Sequence, residues 1–271
     1  MGSELDSAFS IVVEGAESCY KWEKFCEVLR LIFFQGFLSM FNPMYGEFAE
    51  EYAAAIRDNS YNAHYERPSL CTLLPDLQGK KVIDLGCGPG EYAAHLVSQG
   101  ATVTAVDASA EMISLVQQKL GNSVHAYQQD LTQGVPDEAD RSFDLAVSPL
   151  MIHYLEDPTA LFRDVKRILK PEGEFVFSTH HPFMDYEFSP SGNYFLTEKI
   201  VDEWNTLGRP TRVEYFRRPL SALMNSLFDA GLCMIEMSEG KPDEEMQQSD
   251  PESYQRLSTA PGFLFLKCRV M

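Results

Sequence analysis

This chain has few features that would tie it to a metal, a membrane or a nucleic acid. Its six cysteines, Cys19, Cys26, Cys71, Cys87, Cys233 and Cys268, form no Cys-x-x-Cys pair, and no Cys/His cluster has zinc spacing. Scattered single cysteines read as reduced core thiols, so a cytoplasmic protein without a bound metal is expected. No dense basic run occurs; Arg212, Arg217 and Arg218 come nearest. Lys and Arg total 22 against 40 Asp and Glu, a net charge of −18 at pH 7. Phosphate backbones bind through clustered Lys and Arg, so this balance points to a small-molecule partner rather than DNA or RNA. The most apolar stretch, Val28 to Phe41, is 14 residues long and holds Arg30, Gln35 and Ser39. It is too short for a bilayer, which needs about 20 apolar residues, so it reads as a helix docked on the domain or as a contact in a homo-oligomer. Glu4, Asp6, Glu14 and Glu17 argue against a signal peptide, and Asp6 breaks the myristoylation pattern. There is no internal repeat and no low-complexity tract.

What is present suits one large α/β domain with appendages. The chain has 271 residues, 45% apolar and 23% charged, enough to bury a sizeable core. Residues 1–43 read as a helical extension. Residues 44–78 carry a helical pattern rich in tyrosine: Tyr45, Tyr52, Tyr61 and Tyr65. From Lys80 the rhythm changes. Strands are expected over 81–85, 102–106, 123–127, 143–147 and 174–179, with helices over 89–99, 109–120 and 158–169 between them. Such alternation implies a doubly wound, mostly parallel sheet with helices on both faces. Residues 180–217 read as a long connection without clear period, a cap insertion over the site. A helix over 220–230 and strands over 232–237 and 263–269 complete the domain, and the acidic stretch 239–261 reads as a surface loop.

The chemistry concentrates in Asp84-Leu85-Gly86-Cys87-Gly88-Pro89-Gly90, at the end of the first strand and the start of a helix. In a parallel sheet ligands bind outside the carboxyl ends of the strands. Glycines let the backbone turn there and let a ligand approach, and the helix N-terminus offers free N–H groups. The loop lacks the Gly-Lys-Ser/Thr of a phosphate-binding loop. Glu91 stands where a dinucleotide fingerprint has its third glycine, a carboxylate of the wrong sign for a pyrophosphate. Asp84, a strand-end acid, suits a ligand carrying an ammonium or sulfonium.

Val82 to Gly90 resembles motif I of the class I S-adenosylmethionine methyltransferases. Val106-Asp107-Ala108-Ser109-x-x-Met112-Ile113 resembles their second motif, Gln129-Asp130-Leu131 their third, and Phe143-Asp144-x-x-x-Ser148 with His153-Tyr154-Leu155 their fourth. Leu169-Lys170-Pro171-x-Gly173-x-Phe175 is similar to the approach to their fifth strand. The match covers residues 50–240 in order, and His181-Pro182 with Arg218-Pro219-Leu220-Ser221 resembles a bacterial small-molecule branch of the type-11 group. The resemblance implies a seven-stranded sheet with its last strand antiparallel, and S-adenosyl-L-methionine as cofactor. Gly86, Gly88 and Gly90 would hold its methionine part, with Asp84 near the ammonium. Asp107 would accept both ribose hydroxyls, Asp130 the adenine amino group with Leu131 beside it. Ala108 and Met112 would pack on adenine, Ser148 would line the site near the methyl group, and Tyr52 would reach it from the cap.

The resemblance implies methyl transfer to an N, O or C atom of a small metabolite. Alignment supplies most of the rate for an activated methyl donor, and a base matters only when the acceptor must lose a proton. His153, on the rim after the fourth strand, and His181, set extended by Pro182, are the candidates for that base. Other readings stand beside this one. The acceptor could be a tRNA or a protein, the chain could be a cofactor-binding subunit without activity, or it could be a nicotinamide-dependent dehydrogenase.

Overall fold

A computed structural model describes residues 42–271. The apolar stretch Val28 to Phe41 lies outside the described residues, as does the extension read over 1–43 apart from Asn42 and Pro43. At the centre is β1, Lys81–Leu85, in which Val82, Ile83, Asp84 and Leu85 are all buried. Burial on both faces is the mark of a central parallel strand. β2 (Thr102–Asp107) and β3 (Val124–Gln128) pair parallel on one side of it; β4 (Phe143–Ser148) and β5 (Leu169–His180) follow in parallel on the other. β9 (Phe263–Val270) inserts antiparallel between β5 and β8 (Leu232–Ser238), so the seven strands run β3-β2-β1-β4-β5-β9-β8. The order reverses between β1 and β4, which opens a crevice at their carboxyl ends. β5 begins at Leu169, where a helix was expected to continue, because Leu169 already pairs with Phe143 before a register shift.

Helices cover both faces. Glu91–Ser98 and Ala110–Leu120 pack through Tyr92, Leu96, Ile113 and Val116 on one side. Thr159–Ile168 and Leu220–Asp229 pack through Phe162, Val165, Leu223 and Leu227 on the other. At about 25 cal/mol per Å² of apolar surface buried, these two layers dominate the stability of the domain.

Two stretches differ from expectation. Residues 198–217 hold a hairpin, β6 (Glu198–Trp204) against β7 (Thr211–Arg217), rather than an aperiodic connection. Ile200, Val213 and Tyr215 turn inward and meet Met44 in a small separate core above the strand ends. The acidic stretch 239–261 carries two short helices, Met246–Ser249 and Pro251–Leu257, and buries Met246 and Leu257. Its Asp243 also holds His64, whose ring nitrogens lie 3.1 Å from Asp243 Oδ2 and 3.2 Å from Asp58 Oδ1.

Candidate active site

The glycine loop lies at the carboxyl end of β1. Gly86, Gly88 and Gly90 have φ of 79°, 52° and 83°, a region that costs an L side chain its comfort. A Cβ on Gly86 would also lie 2.4 Å from Met151 Cγ. The Gly86 and Cys87 N–H groups donate to Val106 O at 2.8 and 3.0 Å, fixing the loop to β2. Asp107, at the end of β2, accepts from Gly88 N through Oδ2 and from Ser109 N through Oδ1, each at 2.9 Å. One carboxylate thus ties the loop to the start of the next helix, and each oxygen keeps a lone-pair direction for a further donor.

Asp84 is the site's anomaly. It is fully buried, and both its oxygens lack a hydrogen-bond partner among the described residues. Burial, with Asp107 and Glu66 nearby, pushes its carboxyl up to about 8. A buried acid with no partner is costly unless a ligand supplies one. An ammonium supplies charge and donors together, so the residues fit a ligand with a cationic amino-acid end. Asp130 Oδ1 caps the turn Leu131–Gln133 by accepting from Thr132 N at 2.9 Å. Leu131 and Met112 are buried, Ala108 is half-buried, and Ser148 is fully buried with its hydroxyl donated to Leu85 O at 2.9 Å. Glu91 turns away from the loop onto Lys119 Nζ at 2.6 Å. The glycine spacing and the two acids, not Glu91, are therefore what disfavour a pyrophosphate here.

The cap closes on this loop. Ser109 Oγ donates to Tyr45 O at 2.6 Å, and the Tyr45 and Tyr154 hydroxyls lie 2.6 Å apart. Tyr52 meets Tyr45 edge-on at 5.0 Å, and burial pushes its hydroxyl up to about 12. Tyr61, in contrast, lies at the surface against Arg256. Sequence reasoning passed over a second buried acid, Glu66. It accepts from Ser178 Oγ at 2.6 Å and Tyr92 Oη at 3.0 Å, and burial pushes it up to about 7. No motif marks it; in the sequence it is one of four glutamates in the tyrosine-rich stretch 44–78.

The histidines separate. His153, 2% exposed, has both ring nitrogens without partners among the described residues. Burial, then His180 and Arg218, hold its imidazole well below the usual range. His180, at the end of β5, stacks on it at 3.9 Å and lies 3.2 Å from Asp185 Oδ1 through Nδ1. The pair lies within ion-pair distance, but the geometry is not that of an aligned hydrogen bond. Tyr215 and Trp204 of the hairpin flank the same ring at 4.7 and 5.6 Å. The His181 ring contacts Glu239 instead, Nε2 to Oε1 at 3.0 Å. The structure therefore gathers His153, His180, Tyr154, Trp204 and Tyr215 over the ends of β4 and β5, and pairs His181 with the 239–261 segment.

Strand order, the glycine loop and the acids at the ends of β1 and β2 define a class I S-adenosylmethionine-dependent methyltransferase domain, whose cofactor is S-adenosyl-L-methionine. Residues 83–177 match the type-11 model of the family described as "Methyltransferase domain". Over 125 residues, 44% of this chain, the sequence is 37% identical to the malonyl-[acyl-carrier protein] O-methyltransferase of Erwinia billingiae, of which the match covers 49%. Over 106 residues, 38% of this chain, it is 33% identical to a ubiquinone biosynthesis O-methyltransferase of Pseudomonas fluorescens, of which 46% is covered. The chain spans about half the length of these curated relatives. It is also similar to the solved structure of an S-adenosylmethionine-dependent methyltransferase from Mesorhizobium loti, with a TM-score of 0.61 at 28% identity over 75% of this chain and 97% of that one.

Proposed function

We propose that this protein transfers a methyl group from S-adenosyl-L-methionine to an N, O or C atom of a small molecule, with oxygen the favoured acceptor. The observation that carries the reading is the orphaned Asp84 carboxyl immediately before a left-handed glycine loop that Asp107 ties down. Asp84 would hold the ammonium, the loop N–H groups the carboxylate, Asp107 the ribose hydroxyls and Asp130 the adenine amino group. Leu131, Met112 and Ala108 would enclose the adenine; Ser148 and Tyr52 would border the methyl end. The bound cofactor supplies an electrophilic methyl group, so the chain's own task is to align an acceptor and keep water out. The aromatic rings over β4 and β5 suit a compact organic acceptor, and the net charge of −18 disfavours a nucleic acid. The curated relatives named above are O-methyltransferases, which favours oxygen.

The test is incubation of the protein with methyl-tritiated cofactor and, in separate samples, the small-molecule fraction and the whole of a cell extract. A labelled product of small mass supports the reading. Label appearing only in protein or RNA from the whole extract, or nowhere, contradicts it.

A further inference from the structure

Three histidines lie at or after the ends of β4 and β5, and their surroundings differ in a way that bears on the proton. A base must accept a proton and hold it as a cation. His153 is enclosed with Arg218, which donates to the Ile152 and Leu155 carbonyls, and no carboxylate touches its ring among the described residues. An imidazolium there would be buried beside another cation. His181 also has a carboxylate, Glu239 on Nε2, and a buried Nδ1 without a partner among the described residues, but its ring packs toward Phe183 and not onto the His153–His180 stack. Of the stacked pair over β4 and β5, only His180 has a carboxylate facing its ring. Its Nδ1 faces Asp185, itself 7% exposed, which leaves Nε2 on the far side of the ring for an acceptor. The other groups against this ring are the His153 imidazole, the Tyr215 and Trp204 rings of the hairpin and the Phe263 ring of β9. None of these carries a competing positive charge while His153 stays neutral. Asp202 accepts from Trp204 Nε1 at 3.1 Å, and its charge also acts on Tyr215.

We propose that His180 is the general base of this site, that Asp185 is its positioning carboxylate, and that the acceptor is a hydroxyl that must lose its proton. The proposal rests on the methyltransferase reading above. The hydroxyl proton passes to Nε2 of His180. The electron pair of that O–H bond stays on oxygen and forms the new O–CH3 bond, while the pair of the broken S–CH3 bond returns to sulfur. Asp185 stabilises the imidazolium until its proton leaves to water, and His153 serves as a neutral platform that fixes the ring plane by stacking.

The experiment uses the full chain in the labelled-extract assay, with S-adenosylhomocysteine affinity measured beside it. His180→Ala should keep that affinity and lower product formation by about 10²–10⁴-fold, and added imidazole should restore part of the rate. Asp185→Asn should slow the reaction and move the acid limb of its pH profile to lower pH, and Asp185→Glu should recover part of the loss. His153→Phe, which keeps the stack, should retain the wild-type pH profile. Where His180→Ala fails to fold, as judged by its melting transition, His180→Gln takes its place. If wild type forms product and folded His180 variants match its rate and pH profile, the base assignment is overturned and the methyltransferase reading stands. Loss of rate without imidazole rescue and with an unchanged Asp185→Asn profile overturns it equally, since His180 would then only pack. If wild type neither binds S-adenosylhomocysteine nor forms product, the methyltransferase reading itself falls.

Discussion

A carboxyl group buried without a partner binds its proton more tightly in the folded chain than in the unfolded one. Asp84 rises from 3.8 to about 8 through burial, then Asp107 and Glu66, and Glu66 rises from 4.5 to about 7 through burial against its hydrogen bonds. Between the unfolded and folded values the folded protein carries more protons, so each step up in pH weakens it. The stability these acids contribute is whole below about pH 4 and is lost as pH climbs toward about 8. Urea midpoints of the ligand-free protein should therefore decline between about pH 5 and about pH 8, and Asp84→Asn with Glu66→Gln should flatten the decline. A wild-type midpoint that is level across that window would count against protonated acids beneath the loop. Asp107 plays another part, since its carboxylate already accepts two backbone N–H groups. Charge-assisted hydrogen bonds are worth about 1.5–3 kcal/mol each, so Asp107→Ala should weaken S-adenosylhomocysteine binding at least about tenfold and lower the melting temperature. A folded Asp107→Ala protein with wild-type affinity would mean that the residue only ties Gly88 to Ser109.

The cap is an assembly of short elements rather than a layer of the main core, and its hairpin shows what holds it. Arg217, fully buried at the end of β7, reaches Glu198 Oε2 at 2.5 Å, Tyr194 O at 2.7 Å and Leu196 O at 2.9 Å. It joins the loop before β6 to the hairpin's own end. Arg217→Met keeps the bulk but removes every donor, leaving a carboxylate and carbonyls without their shared partner. Hydrogen exchange should then quicken across 193–217 while β1, β2 and β4 keep their protection. Uniform quickening throughout the sheet would show instead that the hairpin belongs to the global folding unit. This element was also the least legible from the sequence. Thr211-Arg-Val-Glu-Tyr-Phe-Arg217 does alternate, in the burial order of β7, but the aromatics and prolines of 180–210 masked a period only seven residues long. The 239–261 stretch misled for a related reason: its acidic residues read as solvated, yet Met246 and Leu257 sit at buried turns of two short helices.

At the scale of the molecule, legibility follows the hydrogen-bonding geometry. The central strands were visible as short apolar runs and the helices by their period, most with a glycine or proline near one end, and the glycine loop because only glycine takes φ of 79° and 83° without strain. What needed coordinates was everything set by contact between distant segments. Glu66 meets Ser178 across 112 residues, Tyr45 meets Tyr154 across 109, and His180 and His181, adjacent in sequence, go to different carboxylates. The loop before Glu91 and its two acids suit a sulfonium amino acid rather than a dinucleotide. Calorimetry on the full chain tests that most directly, with S-adenosyl-L-methionine, S-adenosylhomocysteine and NAD titrated under one condition. Both adenosyl ligands should bind at one site, more weakly in Asp107→Ala, and NAD should give no comparable heat. Saturable NAD binding with neither adenosyl ligand bound would contradict the methyltransferase reading.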